Sequence, residues 1–131
     1  MNNEYKILIR ESHLDSFGHV NNATYLELFE EARWDLITGR GYGLKQVHLF
    51  GIGPVILEVN LKFKHELKNR ELVTITTEVT SHKGKITQLR QVLFNPKGEE
   101  ACIAEFTVAL FDLKARKIIE PTPEWRQALN L

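Results

Sequence analysis

A charge of one sign is missing here. Seventeen basic residues stand against seventeen acidic ones, so nothing global draws the chain to nucleic acid or to an anionic membrane. Cysteine is nearly missing too: the lone Cys102 rules out an internal disulfide, and with it a disulfide-stapled scaffold. No apolar run approaches the roughly 18 residues needed to cross a bilayer. The start, Met1-Asn2-Asn3-Glu4, lacks the apolar stretch of a signal peptide. A cytoplasmic protein without membrane insertion is the expectation. Internal repeats and low-complexity segments are absent, as are Walker A and Gly-x-Ser-x-Gly sequences, and Gly39-x-Gly41-x-Gly43 and Gly51-x-Gly53 do not form a dinucleotide fingerprint. Nucleotide hydrolysis and serine-hydrolase chemistry are therefore unsupported. His13-x-Asp15-x-x-x-His19 offers no third firm ligand, so neither a metal nor any other cofactor is expected.

What is present fits one domain over residues 1–131, large enough to fold without staples. Apolar residues alternate at Tyr5, Ile7 and Ile9, which reads as a strand, and Ser12, Asp15, Gly18 and the Asn pair then break the pattern into a loop. From about Asn22 to Thr38 the side chains of Tyr25, Phe29, Ala32 and Leu36 recur at helical spacing, broadened by Leu26, Leu28 and Ile37. Trp34 falls on the polar arc of that helix, which suggests either a subunit contact or an indole folded along its own surface. Gly39 to Pro54 reads as a long connection of about sixteen residues, suited to lining a pocket. Val55 to Lys64 gives the cleanest period of two, with one face buried and the other mostly wet. Leu72 to Thr80, Ile86 to Phe94 and Ala101 to Phe111 are further strands, joined as hairpins by Lys68-Asn69-Arg70, Lys83-Gly84-Lys85 and Asn95-Pro96-Lys97-Gly98. A last short helix is expected from Pro121 to Leu129, with Thr122 as N-cap and Pro123 in the first helical position. The whole reads as an α+β domain: one long helix covered by an antiparallel sheet of about five strands.

The chemistry concentrates between the first strand and the first helix. Leu14 to Tyr25 sets a carboxylate (Asp15), an imidazole (His19) and two amides (Asn21, Asn22) beside a helix N-terminus. Unpaired backbone N–H groups and a partial positive charge there favour an anion or a developing oxyanion, and keep Asp15 ionised. An ionised carboxylate suits a base or a nucleophile, so the segment points to hydrolysis or acyl transfer at an electrophilic carbonyl. Asn21 and Asn22 suit holding a water or capping the helix, and His19 suits orienting either Asp15 or an acyl carbonyl.

The stretch Asp15-x-x-Gly18-His19-Val20-Asn21-Asn22-x-x-Tyr25, leading into Phe29-Glu30-Glu31-Ala32-Arg33, resembles the signature of hotdog-fold acyl-CoA thioesterases of the 4-hydroxybenzoyl-CoA thioesterase type. The likeness extends through Glu58-Val59-Asn60-Leu61-Lys62-Phe63, a Leu72-Val73 hairpin partner, and Pro121-x-Pro123-Glu124. It implies a hotdog fold, a homodimer or homotetramer, active sites at the subunit interface, and hydrolysis of an acyl-CoA or acyl carrier protein thioester. It further implies that Asp15 acts on the thioester while the amide of Asn22 polarises its carbonyl. By the same resemblance His19 joins the catalytic group, with Asn21, Tyr25 and the helical Glu31 toward substrate. Related acyl-ACP thioesterases carry Asp-x-Asn-x-His in this loop; here Phe17 stands at the Asn position.

A thioester suits so small a set, because its leaving thiol has a pKa of roughly 8.5 and departs as thiolate without a strong general acid. One carboxylate and one or two aimed N–H groups suffice, whether Asp15 activates water or attacks to give a mixed anhydride. Between Val79 and Gly98 no acidic residue occurs while Lys83, Lys85, Arg90 and Lys97 are basic. Lys83, Lys85 and Arg90 are thus candidates for the phosphates of a CoA thioester, the alternative being a solvated hairpin tip. Two other functions stay open: a hydratase or dehydratase acting on acyl thioesters, and a non-catalytic acyl-thioester binding subunit.

Overall fold

The computed structural model describes residues 3–131. Strand β1 (Glu4–Leu8) and a short 3-10 turn (Glu11–His13) precede the long helix α1 (Asn22–Gly39). Then come α2 (Leu44–Phe50), β2 (Ile52–Phe63), β3 (Leu72–Lys83), β4 (Ile86–Phe94), β5 (Glu100–Asp112), β6 (Lys117–Ile119) and α3 (Pro123–Leu129). The strands form one antiparallel sheet in the order β1-β3-β4-β5-β2, with β6 added to the end of β5. It wraps α1, as the hotdog expectation requires.

Helix α1 exists because its apolar residues return every third or fourth position. Tyr25, Leu28, Phe29, Ala32 and Ile37 are buried, and a side chain such as Phe29, fully enclosed, contributes about 1.5–3 kcal/mol. The helix stops where Gly41 turns at φ +89°, letting the Tyr42 N–H reach back to the Ile37 carbonyl at 2.8 Å. Around the first half of α1 lies one core cluster, with Ile9, Leu67, Val73, Ile75 and Leu93 among its members. Around its end lies a second, built from Ile37, Tyr42, Val47, Leu110, Trp125 and Leu129.

Four expectations change. The connection from Gly39 to Pro54 is not a loop: it holds α2, closed by Gly51 at φ +66°, and β2 already begins at Ile52. Lys68-Asn69-Arg70 does not make a hairpin, nor is Leu72-Val73 a hairpin partner of β2. β2 pairs only with β5, while β3 lies between β1 and β4, so this connection carries the chain across the sheet. β2 does not bury one face either: as an edge strand it leaves Ile56, Leu57, Val59 and Phe63 between 38% and 53% exposed, on both faces. Finally, Trp34 is half-buried against the second cluster, because α3 folds back over that side of α1. A sixth strand, β6, pairs with the overhang of β5 beyond β4, and a three-residue run is too short to show a period.

Helix α3 follows its sequence signals. Thr122 accepts the Trp125 N–H at 3.3 Å on its hydroxyl and Pro123 opens the helix.

Candidate active site

The loop before α1 folds on itself because Leu14 and Val20 form an isolated antiparallel bridge. Within it the Asp15 N–H donates to the His19 carbonyl (3.0 Å) and the Gly18 N–H to the Asp15 carbonyl (3.2 Å). Gly18 sits at φ +87°, where an L side chain is strained. The Phe17 N–H donates to Asp15 Oδ1 at 2.8 Å, which fixes the carboxylate by its own turn. Oδ2 then lies 3.9 Å from Nδ1 of His19, close enough for attraction and too far for a hydrogen bond. The ring of Phe17 is 82% exposed and stacks on the His19 ring, with centroids 6.0 Å apart.

The chain enters α1 by main-chain bonds, the Val20 N–H to the Leu67 carbonyl (2.9 Å) and the Asn21 N–H to the His13 carbonyl (3.1 Å). Asn21 is the N-cap in position only, since its side chain makes no capping bond. The first-turn N–H of Asn22 therefore has no intrahelical acceptor and no side-chain cap from Asn21, and Asn22 lines the same cleft as Asp15. Tyr25 lies one turn further in, its ring edge-on to Phe63 of β2 at 5.2 Å. Burial pushes its phenol up to about 12, so it stays protonated as a packing and donor group.

Asp15, His19, Asn21, Asn22 and Tyr25 thus share one open cleft of about 540 Å³. Its opposite wall is Phe63, Lys64, His65 and Glu66, at the end of β2 and the start of the crossing connection. Periodicity does not reveal that wall, because the run reads as a strand leading into a hairpin. The only signal was the charged Lys64-His65-Glu66 cluster just after an apolar strand.

The remaining candidates lie elsewhere. Glu31 accepts a short hydrogen bond from the Tyr5 hydroxyl on the β1 side of the helix, so it does not face the cleft. Arg90 alternates with Leu89 and Gln91, which are buried toward α1, and therefore points to the outer face, 3.9 Å from Glu105. Lys83 and Lys85 flank the β3–β4 turn; Ile86 after it aligns with Ala109, which aligns with Val55, so this turn sits where β2 begins. Asp15 sits where β2 ends. Cys102 is buried with its thiol pushed up to about 12 by desolvation, which removes it as a nucleophile. Among the described residues no three His, Cys, Asp or Glu side chains gather as metal ligands.

A second, mostly apolar pocket of about 110 Å³ lies along the later half of α1, between Trp34, Ile37, Ile56, Leu89, Trp125 and Leu129. Arg33 borders it. The Arg33 guanidinium lies 4.3 Å from the centre of the Phe106 ring and donates to Gln91 Oε1 at 3.0 Å, while Gln91 Nε2 donates to the Phe29 carbonyl and to Thr77 Oγ1. Burial lowers the Arg33 pKa to about 10, still far above neutrality, so the pocket edge carries a fixed cation.

Comparison with known proteins identifies the family. Residues 9–129 match the family model described as the thioesterase-like superfamily. The long-chain acyl-CoA thioesterase FadM of Escherichia coli (strain K12) is 35% identical over 127 residues, covering 95% of each chain. The crystal structure of YbaW, a probable thioesterase from Escherichia coli, is 33% identical with a TM-score of 0.83, covering 96% of this chain and 95% of that one. The protein SAV2348 from Staphylococcus aureus, solved in complex with CoA, shares only 16% identity yet superposes with a TM-score of 0.92 over 99% of this chain and 82% of its own. That likeness establishes the fold. With an Asp-His loop at a helix start, a sheet wrapped on that helix and a family match over nearly the whole length, the chain belongs to the thioesterase-like superfamily as a hotdog-fold thioester hydrolase.

Proposed function

We propose that the protein hydrolyses acyl-CoA thioesters carrying extended apolar acyl groups, with Asp15, His19 and Asn22 as the reacting set. The observation that carries this reading is the meeting of the Asp15 carboxylate, the His19 ring and the uncapped Asn22 N–H in one cleft. Asp15 takes a proton from water as the water oxygen bonds to the thioester carbon. The carbonyl oxygen gains charge against the Asn22 N–H, and the CoA sulfur leaves as thiolate. His19 orients the attacked group, and Asn21 and Tyr25 line the approach. The similarity to a long-chain acyl-CoA thioesterase supports the substrate class.

The working unit is at least a homodimer. β2 has a free edge, and its exposed stretch runs from Ile56 to Phe63. Antiparallel pairing about the middle of that stretch sets the partner's Phe63 against Ile56. Phe63 lines the Asp15 cleft and Ile56 lines the apolar pocket, so each site joins the cleft of one subunit to the pocket of the other. The same pairing brings Lys83 and Lys85 to the end of the sheet where the partner's Asp15 works, within reach of CoA phosphates. A cytoplasmic setting fits the buried, unpaired Cys102, and no helix among the described residues is long and apolar enough to cross a membrane.

The test is free-thiol release from a panel of acyl-CoA substrates by the unaltered protein and by Asp15→Asn. Loss of roughly 10²–10⁴ in kcat is expected in the variant. Turnover that survives the substitution would remove Asp15 from the chemistry, and a hydroxyacyl product without thiol would indicate hydration instead.

A further inference from the structure

We propose that α3 is the chain-length stop of the enzyme, with Trp125 and Leu129 closing the far end of the acyl-tail subsite. This rests on the composite-site reading above, and it starts from the shape and lining of the pocket beside α1. Ile56, 42% exposed on the free edge of β2, stands at its open side, while Trp125 at 3%, Leu129 at 4% and Val108 at 2% are its most enclosed walls; Leu129 also borders a neighbouring cleft shared with Leu36, Thr77 and Leu89.

The lining chooses the ligand chemistry. Behind the wall Gln91 donates to Thr77 Oγ1 and accepts from Arg33, and no fully buried side-chain nitrogen or oxygen lining this pocket lacks a partner among the described residues. Apart from the indole N–H of Trp125, the floor side chains Trp125, Leu129 and Val108 are hydrocarbon. A polar acyl terminus would lose its hydration there with at most that one hydrogen bond to recover, whereas a hydrocarbon tail exchanges water for packing. Arg33 and Glu30 stand on the α1 wall of the same pocket.

The floor is also held in place. Trp125 meets the Tyr42 ring edge-on at 5.2 Å, and Arg40 Nη1 donates to the Ala128 carbonyl at 3.0 Å, binding α3 to the end of α1. Thr122 caps the other end of the helix. A docked, capped helix presents a fixed limit, so a tail that touches Trp125 gains nothing from further methylenes.

The experiment measures kcat/KM along a saturated straight-chain acyl-CoA series for the unaltered protein, Trp125→Ala, Leu129→Trp and Asp15→Asn. The unaltered protein is expected to gain roughly fourfold per added methylene up to a break, the factor ordinary for burying one methylene. Trp125→Ala should move the break to longer chains by at least two methylenes, and Leu129→Trp should move it to shorter ones. Breaks at the same length in unaltered protein and Leu129→Trp would overturn the proposal, even if Trp125→Ala failed to fold. Asp15→Asn separates the two readings, because it should lower every chain length by the same factor and leave the break in place. A break that moves in the α3 variants while Asp15→Asn retains full turnover would keep the stop and discard the assigned base.

Discussion

Oδ2 of Asp15 stands 3.9 Å from Nδ1 of His19, while Oδ1 of the same carboxylate already accepts the Phe17 N–H at 2.8 Å. One oxygen is committed to the turn and the other faces the ring. In the proposed mechanism the carboxylate handles the proton and the imidazole positions what it acts on. His19→Ala should therefore lower kcat/KM by about tenfold to a hundredfold, less than Asp15→Asn, since positioning contributes less than removing the base. Steady-state thiol release compares the two; equal losses would make the pair a single catalytic unit.

Single turnover in heavy-oxygen water decides how Asp15 acts. With Asp15 as base the label enters the free acid alone, and peptide mass spectrometry finds the Asp15 carboxylate unlabelled. An acyl-Asp15 anhydride opened by water at the Asp15 carbonyl would instead label that carboxylate.

Val59→Lys should break the proposed pairing of β2 edges, because it places a charge on the free edge strand where Val59 is 38% exposed. Light scattering should show the molar mass halving, and kcat/KM should fall at least a hundredfold although Asp15 and His19 are untouched. Full activity in a monomer would disprove the composite site.

Lys83→Ala combined with Lys85→Ala should raise the KM for acyl-CoA by about tenfold and leave kcat within about twofold, since in the proposed assembly the lysines meet the carrier and not the thioester. Rising ionic strength should raise the KM of the unaltered protein and have much less effect on the double variant. Salt dependence that is identical in both would remove the assignment.

Alkaline pH offers a test of the core. The sequence holds three tyrosines, and all are shifted upward: Tyr5 to about 12 chiefly through its bond to Glu31, Tyr25 to about 12 chiefly by burial, and Tyr42 upward by burial. A phenol whose folded pKa exceeds its unfolded value near 10 contributes stability that is complete below pH 10 and is lost as pH climbs toward 12. Phenolate absorbance should therefore stay low past pH 10 and rise together with the loss of helical circular dichroism. In Tyr25→Phe the alkaline fall in stability should be shallower. Phenolate appearing near pH 10 with helix intact would contradict the burial argument.

Local chemistry explains why much was readable beforehand. The span of α1, the two-residue turn at Gly84, the Thr122 cap and the Asp15 turn each depend on residues close in sequence, so periodicity and turn chemistry reveal them. The grouping of Asp15, His19, Asn21, Asn22 and Tyr25 was legible for the same reason, being one loop and one helical turn. Helix α2 was hidden because seven residues flanked by glycines carry too little period to stand out from a loop.

Strand order is different in kind. The chain's alternation gives β2 one apolar face and one mostly polar face, and only the sheet decides that β2 is an edge, paired with β5 and unpaired beyond it. That choice turns Ile56 to Phe63 outward, carries Lys64, His65 and Glu66 to the cleft wall, and leaves Lys83 and Lys85 at the opposite end from Asp15 of the same chain. It also fixes which side of α1 is covered, so that α3 brings Trp125 and Leu129 beneath Trp34 while Glu31 turns away to Tyr5. Helices α1 and α3, the longer strands and the reacting loop were determined within the sequence, because short-range sterics, capping and periodicity act within a few residues. The tertiary structure alone decided the edge, the pocket and its floor, because those arise from burial among residues distant in the chain.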